Sequence, residues 1–527
     1  MIFGLALPPP PPALYQLSVS NGSAPFAGDR RLLTTVSPNG DGFRDAAVVR
    51  FGLTRAARVQ MQAVRTDTVR EGRPASSAIW TRSWTLAAGP QTLRWRPAAT
   101  TAPRTYILRL TVRGVRGGEA RVYGVYAAHG RVNAPVVRVQ GIEAGFAEPS
   151  YAPGEIAEVT ISSDARELSA QVFAYGNWFR PTARDLRSGG DAMTAPVRID
   201  WRSHRDRPAR VRLVRAGDWP SGLYFLRLTA SDGRVGYAPF IVRPRVLGGS
   251  ARAAVVLSTN TWQAYNFRDE DGDGWGDSWY VSARVRSIDS TRPFLDFGVP
   301  FRFGDWDLTV IAWLAATAKR VEFLSDHDLE RVPTGDDLAR RYDLLVFPGH
   351  EEYATTQAYD VVQRYRDAGG NLMFLSANNF FWRVQRSGAF LTKTALWRDL
   401  GRPEAALVGV QYAGSNHGGG QKPYVVEGAD AAPWAFEGIA FASNGSKLGS
   451  AYGIEIDARA PSSPPGLVVL ARVADVLGPG RSAEMTYYET PAGAKVFAAG
   501  TLNFAASLDR PDVSRLVDNV WRRLASP

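Results

Sequence analysis

The chain has 527 residues, 45% hydrophobic and 11% aromatic, with a net charge of +11 and no cysteine. Such a length holds about three or four domains of ~100–200 residues, and the apolar content is that of a packed globular protein. Disulfides, thiolate zinc sites and cysteine nucleophiles are excluded, no apolar run reaches the ~20 residues of a membrane span, and no groove-reading motif points to nucleic acid.

Residues 1–30 open with Met1-Ile2-Phe3-Gly4-Leu5-Ala6-Leu7 and the prolines Pro8 to Pro12. No basic segment precedes this short apolar core. It reads as a stiff, extended tether or as the remnant of a signal peptide. From 31 to 130 come short alternating strands, among them Val59-Gln60-Met61-Gln62-Ala63-Val64 and Tyr106-Ile107-Leu108-Arg109-Leu110-Thr111. That spacing predicts a β-sandwich. Ser37-Pro38-Asn39-Gly40-Asp41-Gly42 resembles the entry turn of the Ig-like domain of flagellar hook-capping proteins and many secreted bacterial proteins. Its carboxylates either shape Asx-turns, the commoner role, or hold a cation.

Residues 131–246 repeat the theme. Tyr224-Phe225-Leu226-Arg227-Leu228-Thr229 echoes Tyr106 to Thr111, so a second sandwich is expected in tandem with the first. His129 and His204 stand isolated. Cationic charge runs along the whole chain as arginine, with lysine only at Lys319, Lys393, Lys422, Lys447 and Lys495.

Beyond the linker Val246-Leu247-Gly248-Gly249-Ser250, strands alternate with helices. Ala253 to Leu257, Val321 to Leu324, Leu344 to Phe347, Asn371 to Leu375 and Lys495 to Ala499 read as buried strands. Apolar stripes predict helices at Leu308–Ala315, Ala358–Ala368 and Val513–Leu524. Residues 247–527 are therefore expected to form a doubly wound α/β domain, interrupted at 402–490 by a β-rich insertion or lid.

In open α/β sheets ligands bind outside the carboxyl ends of the strands. Three such ends carry polar groups: Thr259 to Asn266, His350-Glu351-Glu352-Tyr353, and Ser376-Ala377-Asn378-Asn379. A glutamate there can act as general base or metal ligand, a histidine can shuttle protons, and an asparagine can orient a carbonyl. Ser376 lies in no nucleophile elbow. Asp269-Glu270-Asp271-Gly272-Asp273-Gly274-Trp275-Gly276-Asp277 matches the start of a calcium loop. Asp269, Asp271, Asp273 and Asp277 are the candidate calcium ligands, although Tyr280 replaces the usual closing glutamate. The alternative is a solvated acidic turn.

Taken together, Thr261-Trp262-Gln263-Ala264-Tyr265 and Gly349-His350-Glu351-Glu352-Tyr353, with Ala377-Asn378-Asn379 and Val496 to Thr501, resemble the C-terminal domain of the large subunit in the N,N-dimethylformamidase family over about 250–527. The resemblance implies a sheet like that of class I glutamine amidotransferases, without its cysteine. It also implies hydrolysis of a small amide at one iron held by two tyrosines and a glutamate. Tyr265 and Glu352 match one tyrosine and the glutamate, and His350 and Asn378 match polar neighbours. Where relatives carry Arg-Pro-Tyr this chain has Arg292-Pro293-Phe294, so Phe294 is expected to remove a phenolate and weaken iron binding.

Two readings follow. One is an extracytoplasmic hydrolase of an amide or related C–N bond, with His350, Glu352 and Asn378 as catalytic candidates. The other is a non-catalytic protein, secreted or on the cell surface, that binds a surface ligand through a degenerate α/β domain.

Overall fold

The computed structural model describes residues 10–66, 78–124, 133–175, 190–280 and 284–525. The first nine residues of the expected tether lie outside them, as does His129. The described chain is multidomain and mostly β-sheet, with few helices. None of those helices is long and apolar enough to cross a membrane.

In the first unit a three-stranded sheet, Leu14–Ser20, Ala47–Leu53 and Gly89–Trp95, faces a second sheet. The second runs Leu33–Val36, Val136–Val139, Thr105–Gly114, Ala57–Arg65 and Ala78–Leu86, with Gly117–Tyr123 also paired to Thr105–Gly114. Alternation puts Val59, Met61 and Ala63 inside with Leu108, Leu110 and Phe51. The unit is longer than the expected 31–130 at both ends. Residues 14–20 are not tether, because they pair with Ala47–Leu53, and Val136–Val139 pairs in parallel with Leu33–Val36. The Ser37–Asp45 turn is closed by its own side chains. Asp45 accepts from the amides of Gly40 and Gly42 (2.8 and 3.0 Å), and Asp41 from that of Phe43 (2.8 Å).

The second unit repeats this plan around Val159, Ile161, Val172, Trp201, Leu226 and Phe240. The sequence echo has a structural counterpart. Tyr106 donates to the Ala102 carbonyl (3.0 Å) and Tyr224 to the Pro220 carbonyl (2.7 Å), each four residues upstream.

In the third unit five parallel strands lie in the order Glu322–Ser325, Ala253–Leu257, Leu344–Phe347, Asn371–Phe374, Lys495–Ala498. Leu344 to Phe347 is buried on both faces, which is why the run is continuously apolar. Helices Leu308–Ala316 and Pro511–Ala525 pack on one face, and Thr356–Asp367, capped by Thr355, packs on the other. The 402–490 segment is not a separate lid. Its strands Lys422–Val426, Lys447–Tyr452 and Val468–Val473, followed by Ala483–Glu489, extend the same sheet antiparallel to nine strands. Edge pairing of the backbone, which side-chain pattern does not specify, joined them.

Candidate functional site

The site lies beyond the carboxyl ends of the parallel strands. Ala253–Leu257 runs into the short helix Thr259–Ala264, and Tyr265 is that helix's C-terminal cap residue. Leu344–Phe347 delivers His350, Glu351 and Glu352 across Pro348-Gly349. A Cβ on Gly349 would stand 2.5 Å from Asp307 Oδ1 and 2.9 Å from Ser258 Oγ, so glycine alone lets this turn pass. Asn378 follows Asn371–Phe374 with a φ of 58°. Glu455 and Asp457 arrive on the strand Glu455–Ala458, from the 402–490 segment.

Tyr265, His350, Glu352, Asn378 and Glu455 are all buried and form one hydrogen-bonded group. The Tyr265 hydroxyl donates to Glu352 Oε2 (2.6 Å) and stands 3.1 Å from His350 Nε2. His350 Nε2 lies 3.1 Å from Glu352 Oε2 and 3.5 Å from Glu455 Oε2. Asn378 Nδ2 donates to Glu455 Oε2 (2.8 Å), and its backbone amide donates to Asp457 Oδ1 (2.8 Å). Burial, with the Glu352 charge next, pushes the neighbouring Tyr353 phenol well above its ordinary value. The structure thus brings together the four residues expected at strand ends.

The protonation of His350 follows from its neighbours. Nδ1 donates to the Ala377 carbonyl (2.9 Å), and Nε2 faces oxygens. Burial alone would lower its pKa; the Glu455 and Glu352 carboxylates outweigh burial and raise it to about 9. His350 is therefore an imidazolium at neutral pH. Burial, with Glu352 and Glu455 next, pushes the Tyr265 phenol well above its ordinary value. At the rim the Lys393 ammonium lies 4.6 Å over the Trp382 ring, and burial lowers its pKa. Asn378 Oδ1 is buried without a protein donor.

Phe294 is elsewhere. Its ring packs on Trp262 (6.5 Å), whereas the rings around Tyr265 are Tyr280, Phe301, Trp306 and Tyr353. The expectation that Phe294 takes a phenolate's place beside Tyr265 fails because Phe294 packs into the apolar cluster of Trp262, whereas Tyr265 belongs to a separate one with Trp279, Trp306 and Tyr353.

In the acidic loop, Asp269, Asp271 and Asp273 offer oxygens within 4.8 Å of one another. Burial, then repulsion from Asp273, Asp277 and Asp271, raises the Asp269 pKa well above the carboxylate range. Asp277 stands outside this group and accepts from the Glu270 amide (2.7 Å). Arg30 of the first sandwich clamps the loop through the carbonyls of Asp271 (2.7 Å) and Gly272 (3.1 Å).

Glu455, Asp457 and Tyr353 were not among the sequence candidates. The signal that could have found the two acids was Glu455-Ile456-Asp457, two carboxylates on one face of a strand among apolar neighbours, while Tyr353 stood in the His350–Tyr353 segment without a role.

A family model described as N,N-dimethylformamidase beta subunit-like, C-terminal, matches residues 198–518. The match begins inside the second sandwich. The N,N-dimethylformamidase beta subunit of Paracoccus aminophilus is 29% identical over 201 residues, 31% of this chain and 26% of that protein. The same-named protein of an Alcaligenes species is 34% identical over 79 residues, 15% of this chain and 10% of its own length. The chain thus spans about a quarter or less of the length of these curated relatives. A solved structure, CBD12 from CALX1.2, covers 38% of this chain and 79% of its own at 9% identity, with a TM-score of 0.16, which carries no argument.

Proposed function

The chain belongs to the N,N-dimethylformamidase beta subunit-like family, and on that premise we propose that its third unit hydrolyses a small amide or related C–N bond on an amidotransferase-like α/β sheet. The observation that carries this reading is the buried Tyr265–His350–Glu352–Glu455–Asn378 group. The imidazolium of His350, held by the Ala377 carbonyl and two carboxylates, can pass its Nε2 proton to a departing amine. Before that departure, Glu352 can accept the proton of the water that adds to the carbonyl, with Tyr265 holding its carboxylate in place. Asn378, anchored by Glu455 and Asp457, leaves its Oδ1 open to accept a hydrogen bond from a donor of the substrate or from the attacking water. Release of dimethylamine from N,N-dimethylformamide is the assay; a wild type inert toward it and toward simple formamides and acetamides would move the protein to the binding class.

The phenol and carboxylate oxygens of Tyr265, Glu352 and Tyr353 are a hard donor set that fits an iron ion. When bound, such a metal supplies Lewis-acid polarisation of the substrate carbonyl. Tyr265 and Glu352 would hold it, with Tyr353 the second phenol at the carboxylate. Elemental analysis of protein purified without chelator checks both metals proposed for this chain. Iron is expected in the wild type, lost in Tyr265→Phe and unchanged in Phe294→Tyr, since residue 294 faces Trp262. Calcium is expected to stabilise the fold by about 2.7 kcal/mol at a hundredfold excess over Kd, read as a higher melting temperature. Asp271→Ala/Asp273→Ala should lose that gain, and a gain kept by the double variant would clear the loop of the role.

We place the protein outside the cytoplasm, secreted or on the cell surface, on the strength of two tandem sandwiches and a cysteine-free chain. Fractionation of the native host checks this, and recovery from cytosol alone would reverse it.

A further inference from the structure

Counted per folding unit, the charge is not spread evenly. Residues 1–246 carry 34 arginines and no lysine against 18 acidic residues, whereas residues 247–527 carry 28 basic against 33 acidic residues. The cationic excess therefore sits on the two sandwiches.

Three of these arginines share one face of the first sandwich. In the larger sheet, Val59, Met61 and Ala63 point inward, so Arg58, Gln60 and Gln62 point outward. Opposite them on Thr105–Gly114 stand Arg113, Thr111 and Arg109, in that order. On the edge strand Ala78–Leu86 the partners are Thr85, Ser83 and Thr81. The face is thus three rows of guanidinium, amide and hydroxyl groups, and none of the nine residues is a carboxylate.

Two features make this face unusual for a merely solvated surface. Arg58 and Arg113 are directly opposite each other, exposed, and in no ion pair with a carboxylate among the described residues. Like charges in that position destabilise a sheet. The amides, by contrast, are already oriented: Gln62 accepts from Arg109 Nε (3.0 Å) and donates to Thr81 (3.4 Å), and Gln60 donates to Ser83 (3.5 Å).

We propose that this face binds a linear acidic polysaccharide. A carboxylate lying between Arg58 and Arg113 would be held by two planar, bidentate guanidiniums and would offset their repulsion. Arg109 lies four residues along the strand from Arg113, at about 3.3 Å per residue, and would take a second acidic group roughly 13 Å away. The threonine, serine and glutamine side chains between them match sugar hydroxyls in both donor and acceptor character. Nucleic acid fits less well. Single strands need aromatic platforms, and this face has none: Trp80 and Trp84 lie opposite Ala63 and Val59, on the core side.

The test uses the full chain with polygalacturonate as probe, neutral dextran and double-stranded DNA as controls, and binding measured at low and moderate salt. Wild type should bind polygalacturonate, ignore dextran, and lose affinity as salt rises. Arg58→Gln/Arg109→Gln/Arg113→Gln should weaken binding at least tenfold while the melting temperature stays at or above that of the wild type. Arg58→Lys/Arg113→Lys, which keeps charge but not the planar fork, should fall between. Unchanged affinity in the triple variant, or a wild type that does not retain polygalacturonate, overturns the proposal. DNA bound more tightly than polygalacturonate, and released by the same triple variant, would assign the face to nucleic acid instead.

Discussion

Glu352→Gln is expected to lower kcat/KM for hydrolysis of N,N-dimethylformamide by about 10²–10⁴-fold, the usual range for removing a positioned acid or base. The substitution is nearly isosteric. The amide oxygen can still accept from the Tyr265 hydroxyl, which now stands 2.6 Å from Glu352 Oε2, so the fold should survive. What is lost is a proton acceptor, one of the two proposed iron ligands, and one of the two carboxylates that keep His350 charged. The His350 pKa should then fall from about 9, because burial, the opposing effect, is unchanged. Two readouts separate this role from a structural one: the melting temperature stays near wild type, and the upper limb of the pH–rate profile moves to lower pH. A variant with wild-type kcat/KM would remove Glu352 from the chemistry.

Asp457→Asn should flatten the pH dependence of stability. Burial, with weaker repulsion from Glu404 and Glu455, raises the Asp457 pKa from 3.8 to about 7. The sign follows from linkage. The native state holds this proton more tightly than the unfolded state, so the contribution favours folding at low pH and is lost as pH rises from 3.8 through about 7. At 1.36 kcal/mol per unit, the shift corresponds to about 4 kcal/mol of stability withheld above pH 7. An asparagine keeps the acceptor for the Asn378 amide, at 2.8 Å from Asp457 Oδ1, but never ionises. Urea unfolding from pH 4 to 8 should show a wild type that weakens steeply and a variant that weakens less, the two diverging toward pH 8. Asp307, raised by burial to about 7, contributes its own slope to both proteins, so the difference between the curves isolates Asp457. Parallel curves would place Asp457 in contact with water.

How much of this was legible beforehand follows from the range of each interaction. The doubly apolar run Leu344 to Phe347 and the stripe from Val513 to Leu524 are local patterns, and strand and helix stand where those patterns put them. The repeated Tyr-x-Leu-Arg-Leu-Thr placed a tyrosine hydroxyl on the same upstream carbonyl in both sandwiches. Tyr265, His350, Glu352 and Asn378 could be gathered from three separate segments because parallel strands deliver their carboxyl ends to one rim. Phe294 was misplaced beside Tyr265 because a short motif gives a residue's neighbours in the chain, whereas the side to which a ring turns is decided by packing, here on Trp262.

By itself, then, the amino-acid sequence determined the order of the units, the buried strands, the amphipathic helices and the absence of thiol chemistry. Each rests on residue type or on periodicity over a few residues. Only the tertiary structure decided that residues 402–490 continue the central sheet, that Glu455 closes the ring of groups around His350 from across it, and that Arg58 faces Arg113. The physical reason is that sheets are joined through backbone hydrogen bonds, which every sequence can make, so register and partner strand emerge only when the whole chain has packed.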